Sequence, residues 1–437
     1  MTRVALTTLG CKVNQYETAE IEAGLVAQGF TIVPFNDEAD IYVVNTCTVT
    51  HRTDYQSRQL IRRAHRTNPS AVIVATGCYA QTAPENLAEL PGVTLVVGTE
   101  AKGDIPRMLE ELTAASPCVV VSDTACIQGL SSVPLSHFPG HTRAFLKIQD
   151  GCSAFCSYCI IPYARGKSRS LAQDSVIAQI ERFSTAGFRE VVLTGIHLGL
   201  YGHDLSPRTD IVQLLRRIEE LGCIERLRIS SIEPMEITEG LITLMAESTM
   251  VCRHLHIPLQ SGDDGILASM RRQYTTRQFR AVIETLRTAV PEIAIGMDVM
   301  VGFPGEGERE FTTTRDFLEG LPIAYLHVFP YSKRPGTAAA GFPDHVDERV
   351  KKERAGELRA LGRKKRIAFN ETFIGRNLSV LIEEKRDRTT GLCKGFSDNY
   401  IPVLIQDGNR FQSNAIVDIR AYGACNESLL GRGLGHA

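Results

Sequence analysis

"DGCSAFCSYCIIPYARG" (150–166) places Cys152, Cys156 and Cys159 within eight consecutive positions and supplies no fourth cysteine. A tetrahedral metal site or a cubane cluster takes four ligands, so either one ligand comes from elsewhere or one position stays open. The apolar run just upstream, "AFLKIQDG" (144–151), reads as a strand, which hangs the three thiols from a strand end. Further strand candidates recur at "EVVLTGIHLG" (190–199), "RLRISSIEP" (226–234), "HLHIPLQSG" (254–262), "IAIGMDVMVGFPG" (293–305) and "AYLHVFPYS" (324–332), with helices between them. Six βα units amount to three quarters of a (β/α) barrel, whose functional groups collect at the C-terminal strand ends. An open barrel of that size leaves a lateral gap for a large substrate.

Upstream, "RVALTTLG" (3–10), "DIYVVNTC" (40–47), "AVIVATGC" (71–78) and "GVTLVVG" (92–98) alternate with helices at about 17–28 and 54–66, predicting βα units around a parallel sheet. Residues 116–140 are Ser/Pro/Gly-rich and read as a linker carrying one strand. "VDERVKKERAGELRALGRKKRIAF" (346–369) reads as one long charged surface helix, with Glu353 and Glu357 available for salt bridges. After it, "NLSVLIEEK", "GLCKGFSDNYIPVLIQD" and "RFQSNAIVDIRAYG" alternate apolar and polar residues between Gly and Asp-Gly turns. The expected class is therefore α/β: an N-terminal parallel α/β domain (1–115), a linker (116–140), a central open (β/α)6 partial TIM barrel (141–368) and a small C-terminal antiparallel OB-like β-barrel (369–437).

The composition is that of an ordinary globular chain: 437 residues, 43 % hydrophobic and 22 % charged. No apolar run approaches the roughly 18 residues of a membrane span, and the polar start "MTRVALTTLGCKVNQYETAE" lacks the h-region of a secretory signal, which predicts a cytoplasmic protein. Twelve cysteines in that reducing compartment are not expected to form six disulfides. A net charge of −2 does not mark a nucleic-acid binder, although local basic patches can hide in the sum.

On spacing alone, zinc and an iron–sulfur cluster stand level for Cys152, Cys156 and Cys159. Position at the barrel mouth favours the cluster. Cys-x3-Cys-x2-Cys, with the aromatic Tyr158 before the third cysteine, resembles the radical S-adenosylmethionine superfamily. The resemblance implies a [4Fe–4S] cluster on these three residues, with S-adenosylmethionine chelating the free iron and cleaved to a 5′-deoxyadenosyl radical.

A second trio follows from strand ends. Cys11, Cys47 and Cys78 each sit just past an apolar run, and strand C-termini of a parallel sheet lie along one edge. These thiols should therefore converge, whereas Cys118, Cys126, Cys223, Cys252, Cys393 and Cys425 read as small buried hydrophobes. Two incomplete cysteine sets, a radical barrel and a terminal β-barrel resemble the methylthiotransferase family across the whole chain. That resemblance implies an auxiliary [4Fe–4S] cluster on the N-terminal trio and a C-terminal TRAM domain gripping the substrate. One S-adenosylmethionine would methylate a sulfur on the auxiliary cluster, and a second would give the radical.

Within the family, "LGCKVNQYET" (9–18) and "DGCSAFCSYCIIPYARG" are most similar to the bacterial branch acting on threonylcarbamoyladenosine at tRNA position 37. The isopentenyladenosine branch reads closer to Gly-Cys-Gln-Met-Asn and carries Asn after the first radical cysteine, where Lys12-Val13-Asn14 and Ser153 differ. The alternatives are isopentenyladenosine tRNA, a ribosomal-protein aspartate, or a non-catalytic iron–sulfur or zinc protein that binds RNA. Carbon 2 of adenine bears an unactivated C–H that acid–base chemistry does not open, so a cofactor-borne radical is required.

Cofactor contacts are expected at the other strand ends: Thr194, Gly195 and His197, then Ser231 and Glu233, then Gln260 with Ser261, and the Gly302–Gly305 turn. Each of these reads equally well as a structural turn or a satisfied polar group. For RNA, "RRAHR" (62–66), "RGKSR" (165–169), "MRRQY" (270–274, with Tyr274 for stacking) and "GRKKR" (362–366) are candidate phosphate contacts, and Phe396 and Tyr400 a candidate platform. The expected partners are a tRNA anticodon stem-loop, S-adenosylmethionine and an external electron donor. With no hydrophobic seam, a monomer is the default.

Overall fold

Short β-branched runs form the strands, and amphipathic segments cover them. The computed structural model describes residues 1–111, 117–130, 132–138 and 140–434. The expected boundary between residues 115 and 116, positions 131 and 139 of the expected linker, and the last three residues of the C-terminal unit lie outside the described residues.

The first unit is a six-stranded parallel sheet in the order Thr31–Val33, Arg3–Thr8, Ile41–Thr46, Val72–Gly77, Val93–Val97, Cys118–Val120. The strand expected inside the linker is the sixth of these. Helix Lys12–Ala27 begins five residues earlier than the apolar spacing predicts, because Cys11 is already its N-cap and Val13 and Tyr16 are buried with Ile21 and Leu25. Helix His51–Thr67 is also longer than expected. Thr50 and Thr53 close a reciprocal capping box at its start, which satisfies amides that would otherwise be orphaned.

The central unit has six parallel strands: Ala144–Lys147, Glu190–Thr194, Arg226–Ile229, His254–His256, Ala294–Val301 and Tyr325–Pro330. They form two three-stranded sheets joined by bridges Leu227 to Val251 and Ser231 to His256. Leu227, Ile229, Leu255, Met297 and Val299 face the helices and belong to the largest apolar cluster. The alternate residues face the lumen. Strands Ala144–Lys147 and Tyr325–Pro330 are the open edges, and Lys147 pairs with Glu17 of the N-terminal helix. That helix therefore lies against the open edge.

Helix Glu348–Glu371 bears the expected surface pairs, Arg349 with Glu353 and Arg315 with Glu357. It leads into a closed barrel of five strands, Asn377–Ile382, Cys393–Ser397, Pro402–Ile405, Ser428–Gly433 and Ile416–Cys425. The barrel departs from purely antiparallel pairing at Pro402–Ile405 and Ser428–Gly433, which run parallel. Among the described residues, no helix is long and apolar enough to cross a membrane.

Candidate active site

Three neighbouring strands of the first sheet deliver the dispersed cysteines. Thr8 pairs with Asn45, and Thr46 with Gly77, so the chain leaves all three strands at one edge. Cys11 is exposed, while Cys47 and Cys78 are buried. Gly10, at φ +99°, permits the close approach: a Cβ there would lie 2.8 Å from Cys47 Sγ. Burial pushes Cys47 up to about 11, with Cys78 adding to the shift. Burial also raises Cys78, against the opposing charges of Arg165 and Lys102.

The contiguous trio sits in the loop after the first barrel strand. Gly151, at φ +74°, makes its turn, since a Cβ would lie 2.0 Å from the Lys167 carbonyl. The Cys152 amide donates to Gly166 O (3.0 Å), and the Cys159 amide to Cys156 O (2.9 Å). Burial pushes Cys159 up to about 12. All six cysteines are free thiols. A site that burial keeps protonated becomes thiolate when a metal coordinates it. Three thiols on one loop, with no fourth beside them in sequence, fit a cluster that leaves one iron for another ligand.

The surroundings supply positive charge for such thiolates. His197 Nδ1 lies 3.3 Å from Cys152 Sγ, and its Nε2 meets Glu236. Burial opposes protonation of His197, but the hydrogen bonds with Cys152 and Glu236 outweigh it and raise the ring to about 10. Arg272 donates to Cys156 Sγ (3.4 Å), to the Tyr274 hydroxyl (3.1 Å) and to Glu233. Gln149 holds the second strand end against the loop: its Oε1 accepts from the amides of Ile196 (2.9 Å) and His197 (2.7 Å), while its Nε2 donates to Gly151 O (2.7 Å).

One residue joins the two thiol sets. Arg165, 1 % exposed, donates from Nε to Cys78 Sγ (3.3 Å), and its other nitrogens donate to Asn14 Oδ1 (2.6 Å), Glu17 (2.8 and 3.1 Å) and Asp150 Oδ1 (2.9 Å). It lies in the turn that returns to Cys152 through Gly166. Glu17 also pairs with Lys102 and Lys147. Burial would raise Glu17, but Arg165, Lys102 and Lys147 outweigh it and hold the carboxyl well below the ordinary range.

Residues 3–98 match the Uncharacterized protein family UPF0004, and residues 146–318 match the Radical SAM superfamily. The chain is 43 % identical over 413 residues to the threonylcarbamoyladenosine tRNA methylthiotransferase MtaB of Bacillus subtilis (strain 168), covering 93 % of this chain and 91 % of that one. It belongs to the radical S-adenosylmethionine methylthiotransferase family. A protein of the same name from Aquifex aeolicus (strain VF5) is 40 % identical over 92 % of this chain and 96 % of its own. The tRNA-2-methylthio-N(6)-dimethylallyladenosine synthase of Pelotomaculum thermopropionicum is 32 % identical over 90 % of each chain. Among solved structures, the radical S-adenosylmethionine methyltransferase TsrM from Kitasatospora setae shares the fold, with a TM-score of 0.56 at 16 % identity over 75 % of this chain and 73 % of that one. The chain is thus an enzyme, a methylthiotransferase working with [4Fe–4S] clusters and S-adenosylmethionine.

In this methylthiotransferase the sequence candidates separate. His197 reaches a cysteine directly, and Glu233 reaches one through Arg272. Thr194 is buried, its carbonyl accepting from Ile148 N (3.0 Å), and Gly195 packs on Gln149. Tyr158 packs among Ile266, Met270 and Phe303. Ser231 is exposed and bridges to His256 through its backbone. Gln260 adopts φ +68°, with its amide on Asp298 O (2.9 Å) and its carbonyl on Met300 N (2.8 Å). Ser261 pairs with Thr314, and the Gly302–Gly305 turn is held by Glu306. Cys252 and Cys393 are buried as expected, but Cys118 and Cys126 are exposed.

Three RNA candidates are corrected in part, with Lys167 and Arg271 left exposed. Arg165 and Arg169 of "RGKSR" are buried in ion pairs. Arg272 and Tyr274 of "MRRQY" support Cys156, and the Tyr274 hydroxyl donates inward to Leu259 O (2.8 Å). Phe396 and Tyr400 do not present a free platform: they stack on each other, with ring centroids 5.1 Å apart, and Tyr400 lies 4.7 Å from His254 inside the central barrel. Arg62, Arg63 and Arg66 remain exposed, as do Arg363 and Lys364.

The lumen has layers. Its floor holds His254, Tyr325 and Tyr400, with His254 Nε2 and Tyr325 OH 2.8 Å apart. One step along the strands, Asp298 meets His256 (2.9 Å) and His327 (3.5 Å), a set whose ligand atoms all lie within 4.8 Å. Sequence reading missed Arg165, Gln149, Glu236 and Arg272. The arginines were visible only as members of basic runs, while Gln149 and Glu236 carry no signal until strand ends meet.

Proposed function

We propose that this enzyme installs a methylthio group at C2 of threonylcarbamoyladenosine at position 37 of tRNA. The two separate three-cysteine sets, joined through Arg165, are the observation that carries the two-site reaction. The substrate is supported by relatives named for threonylcarbamoyladenosine at 43 % and 40 % identity, against 32 % for the dimethylallyladenosine synthase above. When bound, the clusters and S-adenosylmethionine supply one-electron chemistry and the transferred sulfur and methyl group.

In this reading Cys152, Cys156 and Cys159 hold one cluster, and Cys11, Cys47 and Cys78 hold the auxiliary one. His197 and Arg272 offset negative charge on the first set, Arg165 on the second. Gln149 orients the Ile196–His197 backbone, and Thr194, Gly195 and His197 would hold the cofactor at that strand end. Ser231, Glu233 and Gln260 complete that contact, with Tyr158 packed behind the thiols. Residues 1–115 form the methylthiotransferase domain, 116–140 a linker, 141–368 the radical core and 369–437 a TRAM domain. The partners are an anticodon stem-loop and an external electron donor, and the enzyme works as a cytoplasmic monomer.

Mass spectrometry of tRNA nucleosides from a strain lacking the gene tests the substrate. Loss of 2-methylthio-threonylcarbamoyladenosine, restored by the gene, is expected. Its persistence, with loss of the dimethylallyl product instead, would reject the reading.

A further inference from the structure

Two arginines meet the Tyr400 ring in the barrel lumen. Arg228 pairs with Glu190 (2.8 Å) and donates to the Asp398 carbonyl (2.9 Å), and Arg143 reaches Glu383 (3.1 Å) and Glu190 (4.0 Å). Their guanidinium carbons lie 4.9 and 5.5 Å from the Tyr400 ring centroid. Lys12, one residue past Cys11, enters this field, with Tyr400, Arg143 and Arg228 as its electrostatic neighbours. It is partly buried and has neither a hydrogen bond nor an ion pair among the described residues. Burial alone would raise the Tyr400 phenol, yet Arg143, Lys12 and Arg228 outweigh it and bring the group below its ordinary value.

A half-buried lysine with no partner among the described residues lacks a counter-charge until an anion arrives. A threonylcarbamoyl substituent ends in a free carboxylate, whereas a dimethylallyl substituent is neutral. We propose that Lys12 binds the threonyl carboxylate, seating the modified adenine in the lumen beside Cys11. The proposal rests on the threonylcarbamoyladenosine reading above. An RNA phosphate is the other source of an anion, and the experiment separates the two.

The reconstituted full-length enzyme is assayed with two anticodon stem-loops, one carrying threonylcarbamoyladenosine and one its neutral methyl ester, whose phosphates are identical. Charge-assisted hydrogen bonds of this kind predict that the wild type prefers the acid by about 10- to 100-fold in affinity and in kcat/KM. Lys12→Met should reduce the preference to within about twofold, and Lys12→Arg should retain most of it. Three results would overturn the proposal: no acid-over-ester preference in the wild type, the preference surviving in Lys12→Met, or a Lys12→Met loss shared equally by acid and ester. That last result would assign Lys12 to an RNA phosphate or to the fold. Failure of the underlying reading looks different: the wild type would then methylthiolate a dimethylallyladenosine stem-loop and not the threonylcarbamoyl one.

Discussion

The two cysteine trios reach similar donor sets by opposite routes. Cys152, Cys156 and Cys159 are gathered by one loop, closed by the backbone hydrogen bonds from Cys159 to Cys156 and from Cys152 to Gly166. Cys11, Cys47 and Cys78 are gathered by the order of three parallel strands, and no local segment holds them together. The loop trio is backed by His197 and Arg272, cations from other strand ends, while the sheet trio is backed by Arg165 from the loop itself. The sheet site thus depends on the barrel being docked, and the loop site does not depend on the sheet in the same way.

The comparison breaks first at the thiols. Cys156→Ala should abolish both S-adenosylmethionine cleavage and product, whereas Cys47→Ala should spare cleavage and lose product. Chromatography of 5′-deoxyadenosine alongside nucleoside mass spectrometry reads both, and full methylthiolation by Cys47→Ala would remove the auxiliary assignment. Next is the connector. Arg165→Met leaves Glu17 and Asp150 buried with fewer counter-charges, and breaking such a network should cost about 3–5 kcal/mol in urea unfolding. Iron held by the sheet trio should fall with it.

The same network sets an acid limit. Glu17 and Asp150 are both held below their ordinary values by their cations against the opposing effect of burial. A depressed carboxyl contributes stability that is fully present above its unfolded pKa, about 4 for these groups, and is lost as pH falls through the folded value. Wild-type stability should therefore decline as pH drops below about 4.5. Glu17→Gln should start less stable and show a shallower decline, and an unchanged slope would contradict the assignment. The smallest effect is expected at Gln149→Ala, which strands the Ile196 and His197 amides and should cost about 1–3 kcal/mol.

The legible part of the molecule was whatever has a period or a fixed offset. Strand runs, the long charged helix and the cysteine spacing all appear within one window of sequence, and the shared sheet edge of Cys11, Cys47 and Cys78 followed from one rule about parallel sheets. What failed needed the docked units. Arg272 and Arg165 look like solvated basic runs until burial places them against sulfur. Tyr400 looks like an exposed aromatic until the terminal barrel inserts it beside His254. The early start of helix Lys12–Ala27 reflects a cap that the apolar periodicity does not record.

Removing one site whole tests the division of labour most directly. A C11A/C47A/C78A enzyme, reconstituted anaerobically, should retain the iron of one cluster, roughly four atoms per chain, and still form 5′-deoxyadenosine while making no methylthio product. Product formation by that variant, or loss of all iron together with cleavage, would contradict the account.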